Sequence, residues 1–532
     1  MIKLPDPSAT VGENTRDIFD LLPPESEERN SPRAHVVKQV GKVFIDAERV
    51  LTLSHLILNR LVPTIEPQTI PEQAGFRAGK STTSQILNMT EFIEEGYEEN
   101  CFTGIVFIDL SAAYDTVNHR QLCKKVLTMT EDGKLTRIIK NLLGNRRFYV
   151  ELQGKCSRWR NQKNGLPQGS VLAPILFNIF TNDQPMPKET KSFIFADDRA
   201  IACQASDLTK IERTLQNALN ELGRYYEENN LRPNPSKTET CVFHLKNKLA
   251  ATRLKINWNG EKIKHAEFPK YLGVTLDRTL TYKKHCSNTA QKVAARNNLL
   301  QKLTSASWGA NPNVLRTTAL ALCYAAAEYA CPVWSRSSHC NKVNIVLNET
   351  CRRITGCIKT TKISKLHALA GISPPEIRRE AATRREKWKQ ETDERHPMYG
   401  HEQKPRRLKS RQSFLSTTRA CENSQRFKTK KWNLLSGLRR ENLPPLEERL
   451  PPGGQLPWKT WKSLNRLRAE AGRCRETLHK WGTVDSPLCE CGIPENMTHL
   501  TQCPLRTVVT TSDLWSANGK AIQLAQEIEN FI

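Results

Sequence analysis

Residues 193–199 read FIFADDR, an apolar run that ends in two adjacent carboxylates, Asp197 and Asp198. Burying one charge without a partner is costly, and burying two side by side costs more. A third acidic residue, Asp109, ends another apolar run, GIVFIDL. Three carboxylates that converge at strand ends can hold two divalent cations, and hard oxygen ligands select Mg²⁺ or Mn²⁺. Such a metal pair stabilises the attacking and the leaving oxygen of a phosphoryl transfer.

A simpler interpretation exists for the same residues. An Asp-Asp pair also suits a hairpin turn, and Asp109 could cap the helix that follows it. For an isolated pair this second interpretation is the better one. What favours the metal site is the set of motifs around the three aspartates.

The overall charge points to a polyanionic partner. The chain has 532 residues, with 80 Lys and Arg against 55 Asp and Glu, a formal net charge of +25. Such an excess is typical of proteins that bind nucleic acid, ahead of an acidic membrane surface. The most apolar helical stretch, residues 317–334, is interrupted by Glu328 and Pro332 and predicts a packed helix rather than a membrane span. Sixteen Cys and no secretory signal indicate a reducing, intracellular compartment.

Alternating and helical patterns predict the elements that position the aspartates. GIVFIDL and TETCVFHL predict strands, and residues 146–169 and KSFIFADDRAIACQ predict hairpins, the second with the Asp pair at its tip. Leu208, Leu215, Leu222 and Tyr226 follow helical spacing up to Asn229. Strands alternating with helices predict an α+β sheet with helices on one face.

Composition divides the chain into five parts. Residues 1–35 are polar and predicted to be disordered, and residues 36–282 carry the strands and helices described above. Residues 283–394 predict basic helices. Residues 395–458 are rich in Pro, Gly and charge and predict linkers. Residues 459–532 contain a Trp- and Arg-rich helix and a Cys/His cluster.

The motifs VFIDLSAAYDTVNH, GLPQGSVLAPILFNIFTND and FIFADD, in that order, resemble the reverse transcriptases of non-LTR (LINE-type) retrotransposons, most like the jockey-related group. IPEQAGFRAGKST, NPSKTE and YLGVTLD also fall where that family carries motifs. The resemblance implies a right-hand polymerase with fingers, palm and helical thumb. Its activity would be RNA-directed DNA synthesis from dNTPs on an RNA template and DNA primer, with Mg²⁺.

The resemblance also assigns roles to single residues. Asp109 and Asp197 would be metal ligands, with Asp198 beside them at the primer end. Tyr114 matches a steric gate against a ribose 2′-hydroxyl, although it could equally be core packing. Gln168 and Gly169 would lie against the incoming nucleotide and template base. Arg77 would bind the triphosphate, and Lys237 would protonate the leaving pyrophosphate; both could instead be surface charges.

The Cys/His cluster consists of Cys489, Cys491, His499 and Cys503 in CECGIPENMTHLTQC. Three thiolates and one imidazole form a complete tetrahedral set for structural Zn²⁺, with no open position for catalysis. The alternative is four unrelated residues, since the C-x-C spacing is tighter than usual. The sequence favours a small zinc-knuckle-like unit that grips RNA or DNA.

Some features depart from the family pattern. Arg199 directly follows the Asp pair, where it could compete with a metal for Asp198 or point off the opposite strand face, as alternation favours. Asp115 is expected to cap the helix that follows it.

The usual lead-in is not recognisable, and the chain has no room for the preceding endonuclease domain, which another chain could supply. A catalytically inactive remnant that only binds nucleic acid is therefore the alternative to an active polymerase. The resemblance implies presence in cytoplasm and nucleus.

Overall fold

The computed structural model describes residues 52–144, 146–149, 151–152, 155–305, 308–401, 407–408, 413–438, 443–445 and 447–529. The predicted disordered segment and residues 36–51 lie outside these ranges. The strands are β1 Phe102–Ile108, β2 Arg147–Phe148, β3 Glu151–Leu152, β4 Lys155–Cys156, β5 Arg160–Asn161, β6 Lys191–Phe195, β7 Asp198–Ala205, β8 Glu239–Phe243, β9 Asn257–Trp258, β10 Glu261–Lys262, β11 Lys264–His265, β12 Lys270–Tyr271 and β13 Val274–Thr275.

The helices are α1 over 52–65, α2 Thr82–Glu98, α3 Ala113–Thr116, α4 His119–Thr130, α5 Gly133–Leu143, α6 Ala173–Phe180, α7 Leu208–Glu228, α8 Lys283–Gln301, α9 Pro312–Ala319, α10 Ala325–Ala327, α11 Cys331–Trp334, α12 Asn341–Thr355, α13 Ile363–Ala370, α14 Pro375–Thr392, α15 Phe414–Thr417, α16 Ser424–Leu438, α17 Trp458–Ala469, α18 Arg475–Lys480, α19 Met497–Gln502, α20 Thr511–Ser516 and α21 Gly519–Glu527. A π-helical turn, Leu320–Tyr324, joins α9 to α10, and short 3-10 turns span Glu66–Gln68 and Asn247–Leu249.

A five-stranded sheet in the order β11-β8-β1-β7-β6 forms the centre of the first half. Its pairs are antiparallel, except that β11 runs parallel to β8. The predicted hairpin of β6 and β7 is present, with Phe195 opposite Asp198. The hairpin predicted for residues 146–169 forms from β2 with β5 and β3 with β4. The α+β fold class is therefore confirmed.

Helices cover both faces of the sheet, so the prediction of helices on one face is wrong. Val106 and Ile201 point into one core with residues of α4, α6 and α7. Ile105 and Ala202 point into a second core with residues of α2 and α8. The physical reason is in β1, whose apolar run is continuous rather than alternating, the pattern of a strand buried on both sides.

Helices make up most of residues 283–394, as predicted, and α8 and α12 pack against each other. The predicted linker region is more ordered than expected in its described part. Helix α16 packs on α14, and Glu448 forms ion pairs with Arg378 and Lys428. Within the described ranges, no helix combines the length and apolar character needed to cross a membrane.

Candidate active site and metal-binding cluster

Strand register brings the aspartates together at one end of the sheet. Ile108 of β1 pairs with Arg199 of β7, so the next antiparallel position places Asp109 opposite Asp198. Asp197 occupies the turn between β6 and β7. Because side chains alternate along a strand, Asp198 shares the sheet face of Ala200 and Ala202, which belong to the α2 and α8 core.

The three carboxylates repel one another. The pKa of Asp198 is raised to about 6 by the protein packed around it, and further by Asp197 and Asp109. The pKa of Asp197 is also raised, mainly by burial and then by Asp109, although a backbone hydrogen bond opposes the shift. Asp198 keeps one side open to solvent. Clustered oxygen ligands that are destabilised in their charged form fit a hard divalent cation, which would relieve the repulsion.

Gln73 clamps the turn that carries Asp197. Its Oε1 accepts hydrogen bonds from the backbone N–H groups of Gly75 and Ala196, both at 2.8 Å, and its Nε2 donates to the Ala196 carbonyl at 3.3 Å. Ala196 has φ +58°, in the left-handed region that costs a residue with a Cβ about 1–2 kcal/mol. The fully buried Gln73 therefore holds a strained residue directly beside the Asp pair.

Gly75 allows this close approach. A Cβ at residue 75 would lie 2.2 Å from the Ala196 nitrogen. The Ala74 N–H donates to the Ile194 carbonyl at 2.8 Å, so residues 72–75 lie along the outer edge of β6. Asn178 of α6 donates to the Gly75 carbonyl at 2.9 Å. The start of the IPEQAGFRAGKST motif thus braces the predicted catalytic turn.

Arg199 points away from the aspartates, which confirms the alternation argument. Its guanidinium donates to Gln184 Oε1 at 2.7 Å, the Pro185 carbonyl at 2.8 Å and Ser192 Oγ at 3.0 Å. Burial lowers its pKa, and the described residues offer it no carboxylate partner within ion-pair distance. Arg199 therefore holds the loop after α6 against β6 instead of competing for a metal.

Tyr114 lies close enough to Asp197 for the carboxylate charge to act on its hydroxyl group. Its ring stacks on Phe177 of α6, with centroids 4.4 Å apart and planes 13° apart. Its hydroxyl oxygen is buried and has no hydrogen-bond partner in the described structure. Burial, and then the charge of Asp197, raise the tyrosine pKa. A rigid ring with a neutral hydroxyl is thus placed next to the carboxylates.

The GLPQG loop lies against α3. The Leu166 N–H donates to the Tyr114 carbonyl at 2.9 Å, and Gln168 Nε2 donates to Asp115 Oδ1 at 3.3 Å. Gln168 and Gly169 are exposed, and Gly169 has φ +89° with open space where a Cβ would stand. The prediction that Asp115 caps the next helix is wrong, because Asn118 accepts the hydrogen bond from the first turn of α4.

Lys237 is exposed in a turn tied to Asp109. The Asn234 N–H donates to the Asp109 carbonyl at 2.8 Å, and the Asp109 N–H donates to Thr238 Oγ1 at 3.3 Å. The Lys237 side chain has no ion pair among the described residues. Its loop is therefore fixed relative to the aspartates while its ammonium group stays open to solvent.

Arg77 is engaged inside its own loop. Its Nε forms an ion pair with Glu66 at 2.8 Å, and Nη1 donates to the carbonyls of Ile70 and Gln73. Lys80 also donates to the Gln73 carbonyl, at 3.2 Å, and its pKa is lowered to about 8, first by burial and then by Arg77. Arg77 thus shapes the loop that clamps residue 196, and a ligand role would require it to leave Glu66.

The structure brings the four predicted zinc ligands together. One ligand atom from each of Cys489, Cys491, His499 and Cys503 lies within 4.8 Å of the others. Sγ of Cys489 is 3.7 Å from Sγ of Cys503, and Sγ of Cys491 is 3.3 Å from Nε2 of His499. Burial opposes thiolate formation at Cys489, but hydrogen bonds within the cluster lower its pKa to about 7. This donor set fits tetrahedral Zn²⁺.

The first half of the chain is similar to a known protein family. Residues 49–276 match the family model described as reverse transcriptase (RNA-dependent DNA polymerase). These residues are therefore similar in sequence to a reverse transcriptase domain. All three aspartates and Tyr114 lie inside this reverse transcriptase domain, and the Cys/His cluster lies outside it.

Curated relatives agree with the predicted resemblance to LINE-type elements. "RNA-directed DNA polymerase from mobile element jockey" of Drosophila melanogaster is 30% identical over 57% of this chain and 34% of its own length. "Probable RNA-directed DNA polymerase from transposon BS" of the same species is 30% identical over 59% of this chain and 36% of its own. A "Retrovirus-related Pol polyprotein from type-1 retrotransposable element R1" of Bradysia coprophila is 22% identical over 86% and 45%. The chain thus spans about a third of the first two relatives' length.

Among solved structures, apo telomerase from Candida tropicalis aligns with 57% of this chain and 50% of its own at 10% identity. Its TM-score of 0.34 is too low to carry an argument about the fold.

The reverse transcriptase domain contains positioning residues that the sequence argument missed. Gln73 lies in the quoted IPEQAGF motif, but its contact with Ala196 spans 123 residues and leaves no local pattern. Tyr271 of β12 was also missed. Its hydroxyl donates to the Phe193 carbonyl at 3.3 Å, and burial first and then the charge of Asp198 raise its pKa. The YLGVTLD hairpin therefore packs directly behind the site.

Proposed function

We propose that this chain is an RNA-directed DNA polymerase of a non-LTR retrotransposon that extends a DNA primer with dNTPs on an RNA template. The observation that carries the proposal is the convergence of Asp109, Asp197 and Asp198 at one end of the sheet of a reverse transcriptase domain. Mutual repulsion among three carboxylates is a poor arrangement for stability and a good one for binding divalent cations.

The three aspartates would hold Mg²⁺ or Mn²⁺. When bound, such ions supply charge stabilisation to the primer oxygen and to the departing pyrophosphate. The chain's own contribution is positional. Gln73 fixes the turn that carries Asp197, and the contacts of Asp109 with residues 234–238 fix the other side. Such preorganisation keeps the oxygen ligands in place before substrate arrives.

Three further residues are proposed for nucleotide and template contact. Tyr114 is placed to exclude a ribose 2′-hydroxyl, because its stacked ring cannot move aside without leaving Phe177. Gln168 and Gly169 are proposed to contact the base pair being formed, since both are exposed on a loop bonded to the Tyr114 backbone. Lys237 is proposed as the proton donor to pyrophosphate, and its open ammonium group supports this.

We propose domains, a structural metal, partners and compartments for the chain in outline only. We assign fingers and palm to residues 36–282, a thumb to 283–394, a basic connecting region to 395–458 and a zinc-knuckle-like unit to 459–532. Structural Zn²⁺ would be held by the Cys/His cluster. RNA, primer and target DNA are the proposed partners, and an endonuclease on another chain would supply the nick. Cytoplasm and nucleus are the proposed compartments.

Primer extension tests the proposal. Purified full chain is given an RNA template annealed to a DNA primer, dNTPs and Mg²⁺, and compared with Asp197→Asn and with Asp485→Asn, an exposed aspartate in the C-terminal part. We expect synthesis by the unmodified chain and by Asp485→Asn, and none by Asp197→Asn. Undiminished synthesis by Asp197→Asn would show that the site is assigned wrongly. Salt-sensitive RNA binding without any synthesis would favour the binding-only alternative.

A further inference from the structure

An open groove of about 940 Å³ lies far along the chain from the aspartates. It runs between the C-terminal end of α12 with residues 356–360 and the N-terminal half of α17, and we call it the basic groove. Seven Lys or Arg residues line it, against two Glu. No residue of the predicted polymerase site takes part.

The two glutamates that line the basic groove both have partners within the protein. Glu349 forms ion pairs with Arg352 at 3.7 Å and Arg353 at 3.0 Å. Glu529 accepts a hydrogen bond from Thr460 at 3.1 Å. Glu349 is thus paired with two arginines, Glu529 is the one remaining carboxylate of the lining, and the other lining cations outnumber it.

Three of the seven cations that line the basic groove have no carboxylate partner in the described part of the chain. Lys459, Arg466 and Arg473 form no ion pair with any carboxylate in the described part of the chain. Burial lowers the pKa of Lys462, and Arg466, Lys459 and Arg473 lower it further, while Glu529 opposes the shift. The pKa of Arg466 falls to about 10, through burial first and then through Arg473, although Cys357 opposes the shift. Lys459, Arg466 and Arg473 are therefore like charges without an ion-pair partner among the described residues, and their mutual repulsion costs stability unless an anion binds there.

Two indole rings border the basic groove. Trp458 is buried and donates from Nε1 to the Ser305 carbonyl at 2.9 Å, so it forms part of the wall. Trp481 is 53% exposed, although tryptophan is usually well buried. An exposed aromatic face beside unneutralised guanidinium groups is the combination that binds an unpaired nucleotide. Guanidinium groups bind phosphate and the indole stacks on a base.

We propose that the basic groove binds single-stranded nucleic acid, with Lys459 and Arg473 contacting phosphates and Trp481 stacking on a base. An acidic peptide would satisfy the cations but would leave the exposed indole without a partner. The proposal does not depend on polymerase activity, because the groove shares no residue with the aspartate site.

The test measures binding of a fluorescently labelled, unpaired RNA oligonucleotide by anisotropy over a series of salt concentrations. Lys459→Gln with Arg473→Gln removes two exposed or half-exposed cations from the groove. The matched control, Lys188→Gln with Arg213→Gln, removes two cations exposed elsewhere in the first half. A parallel arm uses DNA of the same sequence, which separates phosphate contacts from contacts to the RNA sugar.

We expect the groove variant to reduce the slope of log Kd against log salt by about 1.4, since each phosphate contact on a single strand contributes about 0.7. Trp481→Ala should weaken binding by about 5- to 150-fold with the salt slope unchanged. Equal losses for RNA and DNA, or a larger loss for RNA, both support the proposal. Binding by the groove variant equal to that of the matched control would overturn it. Competition by polyglutamate as effective per charge as RNA would also overturn it, by showing a general anion site. The binding assay contains no primer and no dNTPs, and the groove shares no residue with the aspartate site, so failure of the groove proposal and failure of the polymerase assignment are distinguishable.

Discussion

Replacing Asp198 by Asn should stabilise the metal-free protein at neutral pH while abolishing the metal site. Folding raises the pKa of Asp198 from 3.8 to about 6, so the folded state binds a proton more tightly than the unfolded chain does. The resulting stabilisation is complete below about pH 4 and is lost as pH rises through about 6. Above that pH, the charged carboxylate opposes folding, and the amide of Asn would not.

The size of the effect follows from the shift. About two pH units correspond to at most about 3 kcal/mol of unfolding free energy. Because Asp198 is open to solvent on one side, screening reduces this to about 1 kcal/mol. Added Mg²⁺ should reverse the order, since metal at ten times its Kd stabilises the unmodified fold by about 1.4 kcal/mol.

The assay is urea denaturation followed by tryptophan fluorescence at pH 4 and pH 7.5, with EDTA or with Mg²⁺. Asp485→Asn is the control, because it removes the same formal charge from an exposed position. The reasoning is refuted if Asp198→Asn is no more stable than the unmodified protein at pH 7.5 in EDTA. It is also refuted if the gain persists at pH 4, or if Mg²⁺ stabilises both proteins equally.

Three other outcomes follow from named contacts. Gln73→Ala leaves two backbone N–H groups without an acceptor, which costs about 1–3 kcal/mol each, and should reduce primer extension. Gln216→Ala is the control, because this glutamine of α7 also binds one backbone N–H group and one backbone carbonyl, and it should reduce extension much less. Equal activity of the two variants would contradict the role of Gln73 as a clamp. Arg199→Met should leave Mg²⁺-dependent extension nearly unchanged and lower the melting temperature, because two carbonyl oxygens lose a buried donor; a large change in metal dependence would show that the guanidinium acts on the site. Cys503→Ser should lower the zinc content of the purified chain and Cys421→Ser should not; an unmodified chain purified without zinc would count against the cluster as a metal site.

Local sequence patterns were sufficient to predict where the aspartates lie in the sheet. The FIFADDRAIACQ alternation predicts a hairpin with the Asp pair at its tip, and the structure contains it. The same alternation predicts that Arg199 faces away from Asp198, and its contacts with Gln184 and Ser192 confirm this. These predictions succeed because strand geometry alone determines which side chains share a face.

Long-range contacts were beyond the reach of such patterns. The second covered face of the sheet comes from α2 and α8, which lie on either side of the strands in the chain. Arg77 chooses Glu66 as its partner, a choice that depends on how one loop folds and not on its motif. The clamp by Gln73 needs the fingers segment and the β6–β7 turn to meet, which no spacing within either segment encodes.

The contact between Gly75 and the Ala196 nitrogen bears on how mutational decay of this gene should be judged. A copy could keep all three aspartates and still be ruined by any side chain at residue 75, since a Cβ there would lie 2.2 Å from that nitrogen. A copy with an altered Gln73 would likewise retain every proposed metal ligand, on a turn that has lost its brace. Counting intact acidic residues therefore overestimates how many copies of such a gene are competent, and residues 73 and 75 should be inspected first.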